Sequence, residues 1–125
     1  MLAKNKIVGF VPIKNAERAR IFYEKVLGLK FVSDDGFALV FDANGNMLRL
    51  VKMKDREPPQ FTILGWEVTD IEDKVKALQK EGVEFQKYPW MPQDQHAIWT
   101  APGGARIAWF KDPDGNVLSI SQHPG

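Results

Sequence analysis

One pattern constrains the fold of this chain more than any other: it is written twice. Set FALVFDANGNMLRL, residues 37–50, over IAWFKDPDGNVLSI, residues 107–120. Ala38 meets Ala108, Asp42 meets Asp112, Gly45-Asn46 meets Gly115-Asn116, Leu48 meets Leu118 and Leu50 meets Ile120. LGLKF (27–31) sits over EGVEF (81–85), with Gly28 on Gly82 and Phe31 on Phe85. VGFVPIKN (8–15) sits over ILGWEVTD (63–70). Three registers recur in one order at nearly constant spacing. They predict one domain, 1–125, built from two related modules, 7–53 and 62–122. The linker, 54–61, is charged and holds Pro58-Pro59, which favours an extended connection.

Each module reads strand, helix, then strands. KIVGFVPI has the β-branched and aromatic content of a strand. Asn15 is placed to cap a helix whose apolar face is Ala19, Phe22, Tyr23, Val26 and Leu27, ended by Gly28. The second module repeats this with Asp70 as cap, Ile71, Val75 and Leu78 as the face and Gly82 as the stop. Short strands are predicted at 30–33, 37–42 and 47–53, then at 84–88, 96–101, 105–111 and 117–122. Asp-Gly, Asn-Gly and Gly-Gly turns separate several of them. The fold class is therefore α+β, with two βαβββ modules.

Composition removes several functions. The net charge is +1, from 17 basic and 16 acidic residues, so nothing predicts attraction to nucleic acid or to a membrane surface. Apolar runs are only a few residues long, and MLAKNKIVGF lacks the features of a signal peptide. There is no cysteine, hence no disulfide, thiolate metal site or cysteine nucleophile. A cytoplasmic protein is expected. The two histidines, His96 and His123, leave little for a histidine-rich metal centre. No Ser-His-Asp spacing or phosphate loop stands out.

The order βαβββ twice, with FYEKVLGL after the first strand and DPDGN before the last, resembles the vicinal oxygen chelate superfamily. This is the group of glyoxalases, bleomycin-resistance proteins and extradiol dioxygenases. The resemblance covers nearly the whole chain. It implies two modules whose sheets curl into a cup with helices outside and a small ligand inside, often in a homodimer. Metal-dependent members hold a divalent ion at two first-strand positions, usually His or Gln, and two last-strand positions, usually Glu. Counted from the caps and the Gly-Asn turns, those positions are here Val8 and Ile63, then Arg49 and Ser119. Valine and isoleucine cannot ligate, arginine repels a cation and serine is a poor neutral ligand. The metal set is expected to be lost, so no cofactor is expected.

Strand alternation puts Val8, Phe10 and Pro12 on one face of the first strand, with Met47, Arg49 and Val51 on the last. The matching face of the second module carries Ile63, Gly65, Glu67, Val117, Ser119 and Ser121. Arg49 is able to grip a carboxylate, or to pair with Glu67 in place of the lost ion. Glu67 would act as a base only if desolvated. Trp99 and Trp109 flank a hairpin closed by APGGAR and suit a wall for a planar ligand, though core or interface packing accounts for them equally well. Trp66 reads as core beneath the second helix, and a lone His96 as surface more readily than as proton shuttle. The favoured reading is a metal-independent binder of an aromatic or anionic small molecule, contacted by Phe10, Arg49, Glu67, Trp99, Trp109 and Ser119, with no catalytic residue assigned. The alternatives are a glyoxalase-type lyase, isomerase or dioxygenase, and a protein-interaction module.

Overall fold

A computed structural model describes residues 1–125. The chain divides into two compact units between Pro58 and Pro59. The first runs β1 (Val8–Ile13), α1 (Ala16–Ile21), β2 (Lys30–Asp34), β3 (Ala38–Ala43) and β4 (Asn46–Lys52). The second runs β5 (Thr62–Glu67), α2 (Ile71–Lys80), β6 (Trp99–Thr100), β7 (Arg106–Lys111) and β8 (Val117–Gln122). Their sheets have the orders β1-β4-β3-β2 and β5-β8-β7-β6. In each sheet the first and last strands run parallel and the rest antiparallel. This is the α+β, twice-built architecture expected from the repeat. No helix is long and apolar enough to cross a membrane.

Alternation sorts each sheet into two faces. Val11, Ile13, Phe41, Leu48 and Leu50 are buried in the first unit, and Ala108, Phe110, Leu118 and Ile120 in the second. The helices bring Ala19 and Tyr23, then Ile71 and Val75, into the two cores. Tyr23 stacks near Phe41 at 6.0 Å, and Phe85 packs edge-on to Phe110 at 5.4 Å.

Four local expectations need correction. The first helix continues from Phe22 to Val26 as a π-helical turn, where the Leu27 N–H donates to the Phe22 carbonyl. Asp70 does not cap α2: the Gln122 side chain on β8 accepts the Ile71 N–H at 2.9 Å, and the Asp70 carboxylate pairs with Lys74. The stretch 84–88 forms one bridge, Phe85 to Phe110, rather than a strand, and 96–101 pairs only at Trp99–Thr100. Proline at 89 and 92 removes two backbone donors there, and the Gln93 side chain takes bonds that a neighbouring strand would otherwise make.

The fourth concerns the repeat itself. Phe41 faces Leu48 and Phe110 faces Leu118, so these phenylalanines are structural equivalents. The β3–β4 connection is a two-residue Asn44-Gly45 turn with positive φ at both positions, whereas residues 112–116 join β7 to β8. The longer turn slips β7 by one residue, and the match of Ala38 to Ala108 is fortuitous. That turn is held by the buried Asp112, whose Oδ1 accepts the N–H groups of Asp114 and Asn116 while Oδ2 accepts from the Asn116 amide.

Candidate functional site

In the first unit, β1 and β4 lie side by side with Phe10 opposite Arg49 and Val8 opposite Met47. On the other side of β4, Val40 of β3 faces Arg49. Phe10 is 63% exposed, so it is available on this face. Arg49 is not a loose cation. Its guanidinium donates to Asp35 Oδ2 at 2.7 Å, so its carboxylate partner is Asp35 in the β2–β3 turn and not the expected Glu67. Asp35 Oδ1 also accepts the N–H groups of Phe37 and Ala38. Arg49 first, then those two amides, pull the Asp35 carboxyl down to about 2. The neighbouring Asp34 is likewise lowered, by the Gly36 amide and by Lys52. Sequence reading missed Asp35 because a turn Asp-Asp-Gly explains itself as turn chemistry.

The second unit presents a different surface at the equivalent positions. Gly65 stands opposite Ser119, as Phe10 stands opposite Arg49. Trp109 faces Ser119 from the other side, and the next row runs Trp99, Ile107, Ser121, Glu67. All of these share one face of the sheet. The rings of Trp99 and Trp109 lie 6.2 Å apart at 34°. Tyr88 meets Trp109 edge-on at 5.8 Å and Trp90 at 4.9 Å, so four aromatic rings form a continuous wall. Burial pushes the Tyr88 phenol up. The sequence pointed to Trp99 and Trp109; Tyr88 and Trp90 join them through a loop path that strand periodicity does not encode. Glu67 is exposed at the end of its row, Trp66 is half-buried on the opposite face, and His96 is half-buried in the loop before β6.

Gly65 has a steric reason. A Cβ there would stand 2.8 Å from Ser119 Oγ and 3.2 Å from the Ser119 carbonyl oxygen. Ser119 is thus a tightly enclosed hydroxyl at the foot of Trp109.

The metal positions do not fit an ion. Arg49 is already ion-paired, and Val8 offers no donor. A bulge between Thr62 and Leu64 makes Ile63 the extra residue, so Thr62 opposite Val117 occupies the place that Val8 holds opposite Met47. Thr62 brings a neutral hydroxyl where Ile63 was expected, still a poor ligand beside Ser119. No group of three or more His, Cys, Asp or Glu side chains is gathered anywhere to hold a metal.

Residues 6–120 match the sequence profile of the Glyoxalase/Bleomycin resistance protein/Dioxygenase superfamily. The chain belongs to that superfamily. Solved structures share this fold over nearly their full length. One is a superfamily member from Sphaerobacter thermophilus, 23% identical, with a TM-score of 0.78 over 98% of this chain and 100% of that one. Another is a lactoylglutathione lyase from Agrobacterium tumefaciens, 14% identical, with a TM-score of 0.75 over 98% and 96%. A third is TnmS3, an antibiotic-binding protein from Streptomyces sp. CB03234, 25% identical, with a TM-score of 0.74 over 99% of each chain. No curated protein matches the sequence. One scaffold thus carries a protein described as antibiotic-binding and another described as a lyase, and fold alone does not choose between such functions.

Proposed function

We propose that this superfamily member is a metal-independent small-molecule binding protein that stacks a planar aromatic ligand on the wall of Trp99, Trp109, Tyr88 and Trp90. The observation that carries the reading is the run of three contacts that joins four rings on one sheet face, with Trp109 paired across the strands with Ser119. Indole faces bind planar molecules by dispersion and offset stacking, and one enclosed hydroxyl fixes orientation through a single hydrogen bond. The likeness to an antibiotic-binding protein is in keeping with this, as is the non-ligating chemistry of Val8, Thr62, Arg49 and Ser119.

Of an aromatic or an anionic ligand, the geometry favours a neutral aromatic one. Arg49 is committed to Asp35, and an anion would have to displace a carboxylate that stays ionised down to about pH 2. Phe10 offers an exposed apolar surface within the first unit, and Glu67, exposed in the second, disfavours anions beside the wall. The protein is proposed to work in the cytoplasm as a homodimer, which sedimentation of the purified chain addresses.

A matched set of probes tests the reading: 2-naphthamide, 2-naphthoate and 2-naphthylmethylammonium, followed by tryptophan quenching and thermal shift. The neutral amide should bind at least as well as the naphthoate, and Trp109→Leu should weaken it about tenfold. If no probe binds, or Trp109→Leu binds unchanged, the wall is not the site. Stoichiometric divalent metal in protein purified without chelator would defeat the metal-independent part and restore the lyase or dioxygenase alternative.

A further inference from the structure

The segment between α2 and β6 carries half of the aromatic wall yet has almost no strand structure. Its bridges are Phe85 to Phe110 and Gln93 to Trp99, supplemented by the Gln86 N–H donating to the Trp109 carbonyl. Within the rest, local turns and the Asp94 carboxylate order short stretches, and one side chain, Gln93, spans from one stretch to another. Gln93 Oε1 accepts the Tyr88 N–H at 2.7 Å. Gln93 Nε2 donates to the carbonyls of Gln86 and Ala97, each at 2.9 Å. A carboxamide has two donors and an acceptor oxygen, so both N–H groups and the oxygen are used, and they tie three separate points of the backbone to one another.

The far end of the staple is conformationally demanding. Ala97 sits at φ 61, a left-handed conformation uncommon for a residue with a Cβ. Asp94 Oδ1 holds the N–H groups on either side of it, those of His96 and Ile98, and the Ala97 carbonyl is turned onto Gln93. Such backbone persists where the surroundings over-determine it. The near end of the staple is Tyr88, which touches both Trp90 and Trp109. Trp90 itself is 74% exposed and rests on Tyr88.

We propose that Gln93 is a positioning residue for the aromatic wall: its carboxamide does the work of a missing strand ladder and holds Tyr88, on which Trp90 rests, against Trp109. Its value for binding rests on the ligand reading above; its effect on the rings does not, and the two are separable by experiment. Glutamate at this position is nearly isosteric but, when ionised, has no donor for the Gln86 and Ala97 carbonyls. Protonated, it recovers one. The Gln86 and Ala97 carbonyls disfavour its charged form while the Tyr88 N–H favours it; with two acceptors against one donor, the folded pKa is expected to be raised. The staple is therefore present at low pH and lost as pH rises through that raised value.

In Gln93→Glu without ligand, the near-UV circular dichroism of the coupled Tyr88, Trp90, Trp99 and Trp109 rings should fall at pH 8 and return at pH 5. The wild-type spectrum should be flat over that range. Far-UV dichroism should stay native at both. Affinity for 2-naphthamide should follow, roughly tenfold weaker at pH 8 and recovered at pH 5. A near-UV spectrum in Gln93→Glu that matches wild type at both pH values overturns the proposal. Should the variant fail to fold, wild type decides the matter by NMR: the Gln93 side-chain amide protons should exchange slowly and in step with the Tyr88 N–H. Exchange at the rate of a free surface amide overturns it. If the spectrum responds while no naphthalene probe binds in any form, the ligand reading fails and the positioning role stands.

Discussion

In the first module, the residues after the helix join their sheet by backbone pairing along β2, Lys30–Asp34. In the second, the matching residues make a single bridge at Phe85 and the loop beyond them is tied together by Gln93. The two modules also differ at the centre of the same face: Phe10 beside Arg49 in one, Gly65 beside Ser119 in the other. One repeated pattern has yielded a regular sheet carrying an ion pair, and a shorter sheet carrying an uncharged aromatic wall. Giving up backbone pairing at one edge freed a loop to carry Tyr88 and Trp90 onto the face of the sheet.

The sharpest way to break this comparison is to fill the notch at Gly65. Gly65→Val should destabilise by ~1–3 kcal/mol in urea denaturation, because the added Cβ meets both a hydroxyl and a fixed backbone oxygen. Ser119→Gly placed in Gly65→Ala should recover only part of the Gly65→Ala loss, since the carbonyl at 3.2 Å remains. The contrasting substitution in the first module is Gly9→Ala, whose Cβ would meet only Leu48 Cδ1 at 3.3 Å. That is the end of a flexible side chain, and the change should stay within about 0.5 kcal/mol. Equal losses in the two modules would contradict the assignment of Gly65 as a close-approach position.

The helix caps offer a second, smaller contrast. Asn15 caps α1 by accepting the Arg18 N–H at 3.0 Å, so Asn15→Ala should lose about 1 kcal/mol. Asp70→Ala should lose less than about 0.5 kcal/mol, the worth of its surface pair with Lys74. Gln122→Ala should take over the larger loss, about 1 kcal/mol, because its oxygen is the cap in the second module. A large effect of Asp70→Ala with a small one of Gln122→Ala would reverse the assignment.

The subtlest contrast is acid sensitivity. Asp35 titrates at about 2 in the folded chain against an ordinary 3.8, so its contribution is present above 3.8 and disappears as pH falls from there toward 2. Melting curves of wild type and Asp35→Asn should converge over that window and differ above it. Parallel curves from pH 5 to pH 2 would mean that the Arg49 pair contributes nothing to folding. Ser119, which replaces Arg49 in the second module, supplies no such titration.

Much of the fold was legible because its signals are local. Asn44-Gly45, Gly28 and Gly82 all adopt positive φ, and Asn15 caps its helix, as their residue types imply. Alternation assigned the buried Val11 and Ile13 of β1, Leu48 and Leu50 of β4, and Leu118 and Ile120 of β8, since a period of two needs no knowledge of the partner strand. Reading failed where a length changed or a side chain replaced a backbone bond. The one-residue slip of β7 and the bulge at Ile63 both shift faces, and a shift of one residue inverts a strand locally. The aromatic pair Trp99 and Trp109 was visible through hairpin register, whereas Tyr88 was not, because a loop places it.

The sequence by itself thus determined the duplication, the α+β class, the two helices with their flanking strands, and much of the two core faces. Each follows from the residue types present and from periodicities that act over a few neighbours. Only the tertiary structure decided that Arg49 answers to Asp35, that Gln122 caps the helix begun by Ile71, and that Gln93 ties the backbone at Tyr88 to that at Gln86 and Ala97. Those outcomes join residues 14, 51 and five positions apart in the chain. A flexible polar side chain has many partners within reach of its sequence position, and packing selects one of them.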